Sequence, residues 1–241
     1  FYNVRADYKT STELSEKLMD IARHQQDKSY LLGAHRALGS DLFWLGKFSE
    51  SRYHQEEVIT LYDPHEHENL AFVYWTDPKI HCLSYMGLIL WILGFPSQAS
   101  QKSHEAIALA HGLSHIYSLA IALFFSTWRC YMLKDLENTK RMSETLIELA
   151  QDQKFPIWSI LGKAFYNWAI GWDCTESSII SEMNQTLSEH QATGMKQMRP
   201  CLLSMLSDLY RRMGYFEESL KTLEEAIILV DKEISSTAYR N

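Results

Sequence analysis

The residues best suited to chemistry lie in one stretch, YDPHEHENLAFVYWTDP (62–78), which offers Asp63, His65, His67 and Asp77, with His81 close behind. Histidines two apart could ligate zinc if a loop brought in an Asp or a further His. His65, His67 and Asp77 are therefore the metal candidates. No Cys accompanies them, and the Asp-Pro pairs at 63–64 and 77–78 equally describe a polar link whose prolines mark helix boundaries. A loop that touches a partner is the third reading.

Other motifs fail on spacing. Gly39 and Gly46-Lys47 suggest a phosphate loop, but six residues separate the glycines and Phe48 follows the lysine. A P-loop needs four, then Ser or Thr. HEAIA (104–108) has Ala108 where a zinc-protease helix needs its second His. His111 and His115 flank Gly112, which suggests turn and capping roles. The sequence contains no G-x-S-x-G elbow and no Ser or Cys in a recognisable frame with His. The paired glutamates 56–57, 217–218 and 224–225 read as solvated helix faces. No catalytic residue and no cofactor is expected.

The elements around these residues must be helices. Hydrophobic residues make up 46% of the 241, yet there are only ten Gly and five Pro, too few for the turns of a β-protein. The net charge of −7, with Lys and Arg scattered, argues against nucleic acid. The absence of an 18-residue apolar run or a signal peptide implies a soluble, cytoplasmic chain without membrane insertion. Cys82, Cys130, Cys174 and Cys201 lack zinc spacing and sit in apolar helical patterns, as buried free thiols of a reducing compartment would. The chain opens on Phe1 inside a helical pattern, as an excised fragment or a processed product would.

Internal repeats organise the whole. LGSDLFWLGKF (38–48), MGLILWILGFP (86–96) and LSDLYRRMGYF (206–216) each carry a small residue in second place, a Gly seven later and a small residue five beyond that. STWRCYMLKDL (126–136) and YNWAIGWDCTE (166–176) fit the frame more weakly, with Cys174 in the place of the turn Gly. The anchors 39, 87, 127, 167 and 207 are spaced by 48, 40, 40 and 40. In each copy a first helix with apolar residues at i, i+3, i+4 and i+7 ends at the Gly, and an aromatic such as Phe48 or Phe216 staples the turn. Second helices are expected at 50–61, 97–110, 137–150, 176–189 and 217–230. One such hairpin cannot bury its own apolar face, so neighbours must stack.

The small–Gly–aromatic–small order resembles the tetratricopeptide repeat, with Gly39, Gly46, Phe48, Ser51 and Val58 in one copy and Ser207, Gly214, Phe216, Ser219 and Ala226 in the last. The period of 40 in place of the usual 34 and the missing early Trp depart from that family. The expected fold is all-α, an α-α superhelix (a tetratricopeptide-like solenoid) of about six hairpins in one domain, 1–241. Its repeats fall at about 1–30 (truncated), 31–64, 79–112, 119–154, 159–193 and 199–232.

A narrower resemblance spans most of the chain. GAHRALGSDLFWLGKF, HGLSHIYSLAIALFF, QKFPIWSILGKAFYNWAIGW and HQATGMKQMRPCLLSMLSDLYRRMGYFEESLKTLEEAI are similar to the C-terminal helical-repeat region of large bacterial signalling proteins. There, such repeats follow an AAA- or STAND-type ATPase module, often with an adenylate/guanylate cyclase or a protein kinase ahead of it. The resemblance implies a non-catalytic regulatory module. Its partner would be a protein, a peptide or the upstream domains of the same polypeptide.

In tetratricopeptide-like stacks the first helices line the concave face. Mapping that face here gives Phe43, Trp44, Trp91, Trp128, Tyr131, Trp168 and Trp172, closed by Arg211 and Arg212, and it takes in five of the seven tryptophans. Large aromatics left in water forgo a few kcal/mol of burial each. The stripe is therefore either covered by its own fold or used as a partner groove. A Trp-lined pocket sensing a small molecule is the alternative function.

Overall fold

From residue 94 onward the turns among the described residues are spaced by multiples of twenty. In the computed structural model, left-handed φ occurs at Gly94 (87°), Ser114 (51°), Lys134 (56°), Lys154 (55°), Gly194 (73°) and Gly214 (84°), with Gly46 (74°) and Trp75 (62°) earlier. The structure describes residues 1–25, 27–67, 69–172 and 176–238. The turn expected at Cys174 lies outside them. Six of these residues, at 46, 94, 114, 134, 154 and 214, close a helix in the same way. The N–H of the next residue donates back to a carbonyl of the last turn: Lys47 to Leu42 at 2.9 Å, Phe95 to Leu90 at 2.8 Å, Phe155 to Ala150 at 2.8 Å and Tyr215 to Tyr210 at 2.9 Å. Gly adopts this conformation freely, and elsewhere an L-residue bears some strain.

Between these turns the described residues form thirteen α-helices after a short 3-10 turn, Asn3–Arg5. They are α1 Tyr8–Gln25, α2 Lys28–Trp44, α3 Phe48–Leu61, α4 Pro64–His67, α5 Leu70–Tyr74, α6 Pro78–Ile92, α7 Pro96–Gly112, α8 Ile116–Met132, α9 Leu136–Asp152, α10 Pro156–Ile170, α11 Ser177–Ala192, α12 Arg199–Arg212 and α13 Phe216–Ala238. All five prolines stand in a first helical turn, where the missing N–H costs nothing. The fold is all-α, a helical-hairpin repeat of the α-α superhelical class. The short α4 and α5 occupy the long link that gives the 48-residue spacing.

The chain divides into two compact units, Tyr8–Arg129 and Phe1–Asp7 with Cys130–Asn241. In the first, α1 packs on α2, α2 on α3, α3 on α6 and α6 on α7. Its core gathers Ile80, Leu83, Ala106, Ala110 and Ala122, with a second group of Leu32, Val58 and Cys82. In the second, α9 packs on α10, α10 on α11, α11 on α12 and α12 on α13. The small residues that anchor the repeat sit where paired helices cross. Ser51 is buried and its hydroxyl donates to the Gly39 carbonyl at 2.6 Å. Ser207 and Ser219 meet hydroxyl to hydroxyl at 2.9 Å. A Cβ on Gly87 would collide with the Ser103 hydroxyl. Phe48 staples its turn against Phe43, ring centroids 5.7 Å apart, whereas Phe216 is 64% exposed.

Several polar groups are held inside. Asp41 is buried and accepts from Ser11 and Ser15 of α1, both at 2.7 Å, which ties α1 to α2. His35 and His54 share a hydrogen bond of 2.9 Å between their Nδ1 atoms. Burial, then the proximity of His35, pushes His54 down to about 4 against an opposing pull from Glu50 and Glu57. Burial and Arg199 do the same to His190, also to about 4.

Four outcomes are expected. Gly94→Ala should cost about 1–2 kcal/mol in urea denaturation, the penalty of a left-handed L-residue. Gly112→Ala, at a helical position with open space around it, should gain up to about 1 kcal/mol. Because native His54 and His190 bind protons only near pH 4 while their unfolded forms bind them near 6.5, the unfolded state takes up protons first as the pH falls. The urea midpoint should be flat above pH 7 and drop between pH 6.5 and 4. His54→Asn should flatten part of that drop.

Candidate interaction surface

The inner-face positions fall into two clusters, one in each unit. In Tyr8–Arg129, Phe43 is the hub, with ring centroids 5.4 Å from Trp44, 5.0 Å from Tyr85 and 6.0 Å from Trp128. Trp44 lies 5.6 Å from Trp128 and its Nε1 donates to the Tyr85 hydroxyl at 3.1 Å. Burial pushes that phenol up to about 12. Phe43 and Tyr85 are buried, and Trp44, Trp91 and Trp128 are half-buried. This cluster fills the unit's own interior.

The second cluster differs in kind. Trp168, at the ninth place of its repeat when the anchor (Asn167 here, Ser207 in the next) is counted as the eighth, is fully buried, and its Nε1 donates at 3.0 Å to Asp208, at the ninth place of the next. Trp172 and Arg212 share the thirteenth place: the guanidinium lies 3.6 Å from the Trp172 ring centroid and donates to the Trp172 carbonyl at 3.0 Å. Lys134, in its left-handed turn, holds its ammonium 5.1 Å from the Tyr131 ring, 4.9 Å from Trp168 and 5.8 Å from Trp172. Asp208 also receives Arg211 at 2.7 Å and faces Lys134 at 3.8 Å. Burial alone would raise the Asp208 carboxyl, but the hydrogen bonds from Arg211 and Trp168 and the Lys134 charge bring it below its ordinary value. The result is an aromatic floor with two cations over it, Lys134 and Arg212, and a third, Arg211, held beside them by the Asp208 carboxylate. Lys134, Arg211 and Arg212 are exposed.

The metal candidates are spent on the link. His65 donates its backbone N–H to Asp63 at 2.8 Å, and His67 Nδ1 accepts the Asp63 backbone N–H at 2.9 Å. Asp77 caps α6, accepting the Ile80 N–H at 2.9 Å and the Tyr62 hydroxyl at 2.6 Å. Among the described residues no three His, Cys, Asp or Glu side chains converge to hold a metal ion. Cys82 and Cys130 are buried free thiols, and Cys201 is a partly buried one that burial pushes up to about 12. Cys174 lies outside the described residues.

One pair in this region went unnoticed in the sequence. His81 Nε2 lies 2.9 Å from the Ser40 hydroxyl, the spacing of a nucleophile and its base. The Ser40 hydroxyl also donates to the Arg36 carbonyl at 2.9 Å, and His81 Nδ1, itself buried, has no hydrogen-bond partner to orient the ring. With burial and then Arg36 pushing His81 well below its usual range, the pair is a packed polar contact. The 41-residue separation was the only signal available.

No family model matches the chain, and a search of curated proteins finds no match.

The two clusters should respond differently to truncation. Trp168→Ala should cost about 3–5 kcal/mol in urea denaturation, as for other large buried aromatics. Arg212→Ala should cost under about 1 kcal/mol, because its contacts are exposed. A large loss from Arg212→Ala would make the cation a structural strut.

Proposed function

We propose that this chain is a non-catalytic interaction and regulatory module whose working surface is the cationic, aromatic-floored patch of Lys134, Arg211, Arg212, Trp168 and Trp172. The observation that carries the reading is that three exposed cations stand on one surface where one carboxylate, Asp208, pairs with only two of them. Asp208 satisfies Arg211 and part of Lys134, which leaves positive charge facing solvent in a protein of net charge −7. Trp168 beneath is held by its hydrogen bond to Asp208, and Trp172 packs edge-on against it at 5.6 Å, so the cations are pre-positioned and little side-chain freedom is lost on binding. An acidic segment of a protein or peptide partner fits such a surface. Its carboxylates would pair with Lys134 and Arg212 while its apolar atoms lie on Trp172.

The wider setting rests on the sequence resemblance. In this reading the chain is a cytoplasmic, bacterial repeat region that senses a partner, or the upstream domains of its own polypeptide. It passes that state to an ATPase module and an adenylate/guanylate cyclase or kinase. The surface calls for no cofactor. No helix among the described residues is long and apolar enough to cross a membrane.

The test is capture from the source cells with an antibody to this region, with the intact mass of the target and its companions read by mass spectrometry. Cyclase or kinase sequence in the same polypeptide, and a companion lost from the Lys134→Glu/Arg212→Glu double variant, is the expected result. A polypeptide near 28 kDa would sink the multidomain setting. A companion that the double variant retains would move the working surface elsewhere.

A further inference from the structure

The last helix carries a second surface, unrelated to the cationic patch. Phe216, Leu220, Leu223, Ile227 and Val230 are each 38–64% exposed. They alternate at spacings of four and three, the 3.5-residue seam that receives another helix. On the flank away from α12, every seven residues, stand Glu217, Glu224 and Asp231. On the other flank Ser219 and Ala226 are buried against α12.

The repeat itself shows what belongs on such a seam. Forty residues earlier, Leu223, Ile227 and Val230 correspond to Met183, Leu187 and His190 of α11, which are all buried. What faces them is the first helix of the following hairpin. Arg199 of α12 donates to the Leu187 carbonyl at 2.9 Å. Asn184, which corresponds to Glu224, reaches the Tyr210 hydroxyl of α12 at 3.4 Å. The flank that holds Glu224 is thus a flank that touches the covering helix. In α13 it is acidic at three successive places.

We infer that α13 is a docking face for an amphipathic helix whose apolar stripe is bordered by Lys or Arg. A second copy of α13 fits poorly, because two such seams laid antiparallel would set carboxylate against carboxylate along their shared edge. A basic border pairs with Glu217, Glu224 and Asp231 and fixes the register of the seam.

The test uses the full chain and two labelled three-heptad peptides with leucine at the core positions, one flanked by lysine and its twin by glutamate. Fluorescence anisotropy should show saturable binding of the lysine peptide and binding at least about tenfold weaker for the twin, a difference of about 1.4 kcal/mol. Ile227→Gln and Glu224→Lys, both at exposed positions, should each weaken the lysine peptide about tenfold while circular dichroism stays unchanged. Lys134→Glu/Arg212→Glu should leave this binding intact, which separates it from the cationic patch. Equal binding of the two peptides, no binding of either, or indifference to Ile227→Gln would overturn the assignment. So would a sedimenting dimer that Leu220→Gln dissociates, which would give the seam to a second copy.

Discussion

Helix length is the constraint on which the rest depends. α7, α8 and α9 are each 17 residues long, and a left-handed residue follows each. Such a helix is about 25 Å long at 1.5 Å per residue. With helices of one length and turns of one kind, equivalent positions recur every forty residues and face one another in neighbouring hairpins. The side-chain bonds follow that register. Trp168 reaches Asp208, Arg212 reaches Trp172, and, one residue out of phase, Asp77 donates its N–H to Ser118. A change in the length of one helix would break the pairs that straddle it.

Much of this was legible because glycine and small residues announce it. Gly46, Gly94 and Gly214 marked turns since their φ is costly for any other residue, and Gly39, Gly87 and Ser207 marked crossings since a larger side chain has no room. The turns between hairpins were harder to see. Ser114 and Lys154 adopt the same left-handed backbone without a residue type that signals it. Among the mapped positions, the ninth and thirteenth places of one pair of adjacent repeats meet, Trp168 with Asp208 and Trp172 with Arg212. Which of the aromatics are enclosed was not legible. Trp128 and Trp168 share the ninth place, yet only Trp168 is fully buried. Enclosure depends on neighbours far away in sequence, and periodicity does not count them.

The link at 62–78 shows a similar limit. Its histidines and aspartates are the residues of a metal site, but Asp63, His67 and Asp77 each accept a backbone N–H that lacks a helical partner. Capping satisfies both groups at no cost in desolvated charge. Asp77 closes α6 in this way and Asp63 receives the N–H of His65. The same short helices leave Phe72, Val73 and Trp75 64–80% exposed, so the link's outward face is apolar although its sequence reads as polar.

Departures from the repeat are the places where the fold is doing something other than repeating. At the position filled by Gly46, Gly94 and Gly214, the third hairpin has Lys134, held left-handed at φ 56°. A glycine would relieve that strain, of the order of 1–2 kcal/mol. What offsets it is the ammonium lying over Tyr131, Trp168 and Trp172, contacts worth about 0.5–1 kcal/mol each at exposed sites. The turn geometry aims the side chain along the end of the helix instead of away from it, so the strained backbone and the stacked cation are one feature. The next hairpins add Arg212 on Trp172 and Asp208 beneath. Lys134 makes the turn slightly worse and, through the same side chain, ties that turn to the rings of the next hairpin.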